Sequence, residues 1–133
     1  MTDNVTVVRE NKKLLETDAK IEELMARYKR ININDTARWS NQGASFTRQL
    51  ANMFELARVI TIGAYNRNES RGAHYKPEFP NRDDANFLKT TMAKFEGEGN
   101  APAFHYEDVD ISLIKPRKRD YSSKHDVAAK SEE

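Results

Sequence analysis

Six apolar residues, Phe46, Leu50, Met53, Ala57, Ile60 and Ala64, recur in alternating four- and three-residue steps. That spacing places them along one side of a helix of about five turns. Leu56, Val59 and Ile62 widen the apolar face beyond what one partner helix covers, so contact with more than one element is expected. Ser45 or a neighbour is placed to cap the start. Ala57 and Ala64 leave room for close approach. A stripe of this kind is core material rather than a cofactor box.

A second stripe precedes it. From Asn11 onward Leu14, Ile21 and Tyr28 recur every seven residues, with Leu24 and Ile31 three beyond the last two. Between the stripes, residues 31–44 carry Asn32, Asn34, Asp35, Ser40, Asn41 and Gly43 and read as a loop. Trp39 is expected to be buried at one end of the helix pair, filling a gap, with recognition of a base or sugar as the sharper alternative. Ahead of both stripes, residues 1–4 read as the stump of a helix. Val5, Thr6, Val7 and Val8 read as an extended β-branched connector with Arg9 at its polar end.

After the long stripe the pattern changes. Residues 69–84 read ESRGAHYKPEFPNRDD and have no periodicity. Gly72 can take a positive φ without a Cβ penalty, and Pro77 and Pro80 disfavour helix for the residues before them. The segment is therefore expected to be extended and irregular. Its polar residues Arg71, His74, Lys76, Arg82, Asp83 and Asp84 need partners from the fold, from water or from a ligand. Beyond it, residues 85–95 are expected to form a short helix capped by Asp83 or Asp84, with Phe87, Leu88, Met92 and Phe95 on one side. Phe104, Tyr106, Val109, Ile111 and Leu113, spaced mostly by two, read as a strand or extended arm.

Composition supports folding without a large core. Val, Ile, Leu and Phe make up just under a fifth of the 133 residues, yet the net charge is only +1 and two stretches are strongly periodic. With 22 basic and 21 acidic residues there is no one-sided excess, which argues against a nucleic-acid binder. There is no cysteine, hence no disulfide framework or thiolate metal site. No apolar run approaches the ~20 residues that span a bilayer, and a soluble chain is expected.

Few residues suggest chemistry. His74, His105 and His125 could titrate near neutrality, but their spacing fits no nucleophile-histidine or metal-ligand pattern. For His74 a structural hydrogen bond is the favoured reading. Arg71 is the leading functional candidate, since a guanidinium beside a glycine can fork onto a carboxylate, a phosphate or carbonyls. The plainer alternative is an internal salt bridge to Glu69, Asp83 or Asp84. The basic run Lys115, Arg117, Lys118 and Arg119 beside Tyr121 reads as a solvated tail, and Glu107, Asp108 and Asp110 match no calcium loop.

ESRGAH, followed by an aromatic-proline pair and then NRDD, resembles the C-terminal region of the succinate dehydrogenase and fumarate reductase flavoprotein subunits. The entry Asn4-x-x-Val7-x-Arg9, the long helical pair and a tail ending KPRKRDY agree in order, so the resemblance covers nearly the whole chain. L-aspartate oxidase and adenylylsulfate reductase carry an ESRG-type stretch too, but the RDD continuation favours the dicarboxylate branch. The resemblance implies a detached C-terminal domain of a longer parent. That parent would oxidise succinate to fumarate through FAD and pass electrons to an iron-sulfur subunit and a membrane anchor, at the cytoplasmic side of the cell membrane.

On this reading the chain is mainly α: a helical hairpin, completed as a three-helix bundle by a truncated N-terminal helix, then an irregular arm with short strands. The expected division is a bundle over 1–69, the arm over 70–121 and a disordered tail over 122–133. The family's dinucleotide fingerprint, flavin-linked histidine and dicarboxylate-binding residues lie upstream, so no catalytic, cofactor-binding or metal residue is assigned here and FAD is not expected on this chain alone. Arg71, His74, Arg82, Asp83 and Asp84 are implied to dock against the flavin-bearing domain. The alternatives are a domain of L-aspartate oxidase or fumarate reductase, and a free-standing helical interaction module.

Overall fold

A computed structural model describes residues 1–117. Two long antiparallel helices dominate: α2, Asn11–Tyr28, and α3, Gln42–Asn66. A four-residue helix α1, Thr2–Val5, packs against both. A second short helix α4, Asp84–Phe87, leads into a hairpin of β1, Lys89–Lys94, and β2, Ala103–Asp108. The strands are antiparallel, with Thr91 opposite Tyr106 and Ala93 opposite Phe104.

The mainly α architecture with a small C-terminal sheet is the one expected, and the differences from the sequence reading lie at particular residues. Val5 is helical and buried at the centre of the small apolar core with Leu14 and Ala64, instead of extended. Asn41, not Ser45, caps α3, its side chain accepting from the Ala44 N–H at 2.7 Å. Residues 85–95 are not a helix. Asp83 does cap, accepting from Asn86 N–H at 3.1 Å, but α4 stops at Phe87 because Leu88 leaves the helical region and the following residues pair with β2. A partner strand satisfies the backbone of Thr90 and Thr91, and β-branched side chains fit that pleat. β2 ends at Asp108, so Val109, Ile111 and Leu113 lie beyond it.

Trp39 is wholly solvent-exposed and plugs nothing. Ile31 lies past the end of α2 and is exposed. On α3 the buried line is Arg58, Thr61 and Ala64, whereas Phe46, Met53, Leu56 and Ile60 stay exposed. Arg58 explains part of this: its Nε donates to Asp18 Oδ1 at 3.0 Å and its Nη2 to Glu22 Oε1 at 2.7 Å, so an ion pair crosses the α2–α3 seam. Tyr28 closes the far end of the seam by donating to Thr47 O. The hairpin reaches α3 through Gly63, where a Cβ would sit 3.2 Å from the Phe104 ring. A side chain at Gly63 would require the Phe104 ring to shift by a few tenths of an ångström.

Candidate functional site

The irregular segment is two tight turns in succession. Arg71 and His74 exchange backbone hydrogen bonds at 2.8 and 3.0 Å around Gly72, whose φ is +60°. Nothing crowds a Cβ there, so it is the backbone conformation that calls for glycine. Phe79 N–H then donates to Lys76 O across Pro77-Glu78, with proline at the position where its fixed φ suits a turn. Ser70 ties the turns together, its Oγ accepting from Lys76 N–H at 2.9 Å and donating to Phe79 O at 2.7 Å. Tyr75 joins the segment to residues 7–9, donating to Val7 O and accepting from Arg9 N–H. The absence of periodicity thus reflects turn chemistry.

Glu69 lies at the centre with no exposed surface. Its carboxylate accepts from Arg67 Nε at 2.8 Å, from Arg71 Nε at 2.8 Å and Nη2 at 3.0 Å, and from the Asp83 N–H at 2.9 Å. Burial by itself pushes this carboxyl up, but the hydrogen bonds from Arg71, Asp83 and Arg67 together hold it below the usual range. Arg67 is fully engaged, with further bonds to Lys89 O, Thr91 Oγ1 and Phe87 O. Arg71 also reaches Asp84 Oδ1 at 2.6 Å, and Arg82 takes Asp84 Oδ2 at 2.7 Å. One carboxylate therefore bridges two arginines.

The other half of the cluster is short of anions. Lys76 is completely buried, with Nζ donating to Tyr65 O at 2.9 Å and Asn68 Oδ1 at 3.0 Å and lying 5.9 Å from the Tyr65 and Phe79 ring centroids. It supplies a cation to the carbonyl end of α3. Burial pushes its pKa down to about 8. His74 sits between Arg9 and Arg67: Arg9 Nη1 lies 2.6 Å from Nδ1, and Nε2 lies 2.9 Å from Arg67 O. An arginine only donates and a carbonyl only accepts, so the ring is neutral with its proton on Nε2. Burial first, and then the charges of Arg9, Lys76 and Arg67, hold the imidazole below its ordinary range. These bonds are the structural role favoured for His74.

The five residues singled out by sequence, Arg71, His74, Arg82, Asp83 and Asp84, are brought into one neighbourhood. The internal salt bridge kept open for Arg71 exists, to Glu69 and Asp84. Lys76 is among the segment's polar residues that the sequence shows to need partners, whereas no spacing ties Arg9 and Arg67 to the cluster: the parallel bridge between Val8 and Tyr75 and the end of α3 bring them in. His105 is on the exposed side of β2, 3.7 Å from Glu107. Among the described residues no acidic or histidine cluster could hold a metal, and no helix is long and apolar enough to cross a membrane. His125, Lys118, Arg119, Tyr121 and the 122–133 tail lie outside the described residues.

The family model for the fumarate reductase flavoprotein C-terminal region matches residues 1–121. The chain belongs to that family. It is 71% identical over 124 residues to the succinate dehydrogenase flavoprotein subunit of Bacillus subtilis, covering 93% of this chain and 21% of that one. It is 35% identical over 136 residues to the fumarate reductase flavoprotein subunit of Haemophilus influenzae, covering 100% of this chain and 22% of the other. Among solved structures, a chain of Escherichia coli quinol fumarate reductase superposes with a TM-score of 0.78 at 34% identity, over 84% of this chain and 19% of that one. The chain thus spans about a fifth of the length of these family members.

The chain's five glycines lie in helix or in turns. Gly43 and Gly63 lie within α3, Gly72 lies in the first tight turn, and Gly97 and Gly99 lie between β1 and β2. None forms a strand-to-helix turn of the kind that holds a pyrophosphate. The described residues thus offer no glycine cradle of that kind for FAD.

Proposed function

We propose that this chain is the C-terminal domain of a succinate dehydrogenase flavoprotein subunit and serves there as a structural and docking domain. The observation that carries this reading is the 71% identity over nearly the whole chain to a succinate dehydrogenase flavoprotein, against 35% to a fumarate reductase one. The whole subunit would oxidise succinate to fumarate with FAD and hand electrons to an iron-sulfur subunit and a membrane anchor, peripheral to the cytoplasmic face of the membrane. In that setting Arg71, His74, Arg82, Asp83 and Asp84 form a preorganised face toward the flavin-bearing domain. Supporting this, Arg71 and Arg82 share Asp84, Arg71 and His74 exchange backbone hydrogen bonds, and the Asp83 N–H donates to Glu69, so the turns are fixed within the chain itself.

The test is complementation. The Bacillus subtilis flavoprotein truncated before the matching region is expressed with and without this chain, then assayed for retained flavin and succinate-dependent dye reduction. Restoration that requires this chain is expected. Failure of the two pieces to copurify, or equal activity without the chain, overturns the proposal.

A further inference from the structure

Five arginines lie wholly or partly within the fold, and four of them are matched by acids. Arg58 has Asp18 and Glu22, Arg67 and Arg71 have Glu69, and Arg71 and Arg82 share Asp84. Arg9 is the exception. Half-buried, its guanidinium donates through Nε to Val5 O at 3.0 Å and through Nη1 to His74 Nδ1 at 2.6 Å, both neutral acceptors, and meets no carboxylate among the described residues. A guanidinium carries five N–H donors, so most of its capacity is unmatched. A partly desolvated cation with neutral partners only is costly unless an anion completes it.

The space beside it suits such an anion. An open cleft of about 230 Å³ is lined by Arg9, Arg67 and His74 on its polar side, with Val59, Ile60 and Phe104 among its apolar lining. Arg67 is saturated by Glu69 and three further acceptors, and His74 turns its lone pair to Arg9, so Arg9 is the group with donors to offer. Burial lowers the pKa of Arg9, and His74 and Lys76, both lowered chiefly by burial, are lowered further by the charge of Arg9.

We propose that this cleft receives the carboxylate of a glutamate or aspartate side chain from another segment of the flavoprotein, seated on the Arg9 guanidinium with its methylene stem against Val59, Ile60 and Phe104. The small volume and apolar walls favour a single side chain over a nucleotide. The chain spans about a fifth of its relatives, which leaves ample polypeptide to supply the acid. Recognition of a carboxylate is argued from this chain's own atoms; only the source of the carboxylate rests on the proposed function.

The experiment titrates isotope-labelled chain with N-acetylglutamate α-amide, acetate, succinate and inorganic phosphate, each against sodium chloride at matched ionic strength. The His74 ring nitrogens and the Gly63 amide are followed by NMR. Expected is a saturable shift with the glutamate mimic and acetate that chloride does not reproduce, weakened roughly tenfold or more in Arg9→Gln and unchanged in Arg38→Gln. Should Arg9→Gln not fold, Arg9→Lys carries the test, because it keeps the charge and loses the fork. Affinity unchanged in the Arg9 variant, or a response equal to that of chloride, overturns the site. Much tighter binding of succinate or phosphate than of the glutamate mimic overturns the side-chain assignment in favour of a free metabolite. A negative result here leaves the complementation test untouched, so the two readings fail separately.

Discussion

The carboxylate of Glu69 and the guanidinium of Arg71 meet edge to edge, Nε to Oε1 at 2.8 Å and Nη2 to Oε2 at 3.0 Å, although only one residue separates them in the chain. The pair lies between the end of α3 at Asn66 and the first tight turn at Gly72. Because Glu69 is fully buried and also holds Arg67 and the Asp83 N–H, the segment after α3 closes around a charge rather than around an apolar side chain.

Glu69→Ala is therefore expected to cost about 3 kcal/mol, the lower end for breaking a buried pair, since the arginines it strands keep some solvent contact. Urea unfolding measures it. A loss below about 0.5 kcal/mol, typical of surface substitutions, would mean the carboxylate is not holding the turns.

Arg71→Lys should lower the midpoint of urea unfolding of this chain more than Arg82→Lys does. Lysine keeps the charge but cannot make the side-on fork to Glu69, and it gives up one of the bonds to Glu69 or Asp84. Arg82 makes a single ion pair, to Asp84. Equal midpoints in the two variants would show that the fork itself contributes little.

Lys76 predicts a pH dependence whose sign is fixed by its depressed pKa of about 8 against an ordinary 10.5. Below pH 8 the ammonium is charged in both folded and unfolded chains and the folded state carries the burial penalty. Between 8 and 10.5 the folded chain has released the proton while the unfolded chain still binds it, so stability rises with pH through that window. Lys76→Met should abolish this rise. Parallel stability curves for the two proteins from pH 7 to 10.5 would refute it.

Trp39→Ser should leave the melting temperature unchanged, because the indole has no neighbour to lose. Its fluorescence in the native chain should already match that of a solvated tryptophan. A blue-shifted emission that reddens on unfolding would place the ring in a contact and contradict the exposed position.

Periodicity determined the two long helices, because the i, i+3, i+4 recurrence around Leu14 and Ala64 is a local property that packing merely reinforces. Turn residues determined the irregular segment, since Gly72, Pro77 and Asp83 act through their own φ or side-chain oxygen. Tertiary structure decided the rest. Residues 89–94 could have continued a helix until the strand at 103–108 took their backbone bonds, and Trp39 stays in water because no element was there to cover it. The charged cluster was decided the same way. Arg9 and His74 are 65 positions apart, and a guanidinium's choice among many acids and carbonyls depends on which of them the fold has stripped of water, a property no spacing along the chain records.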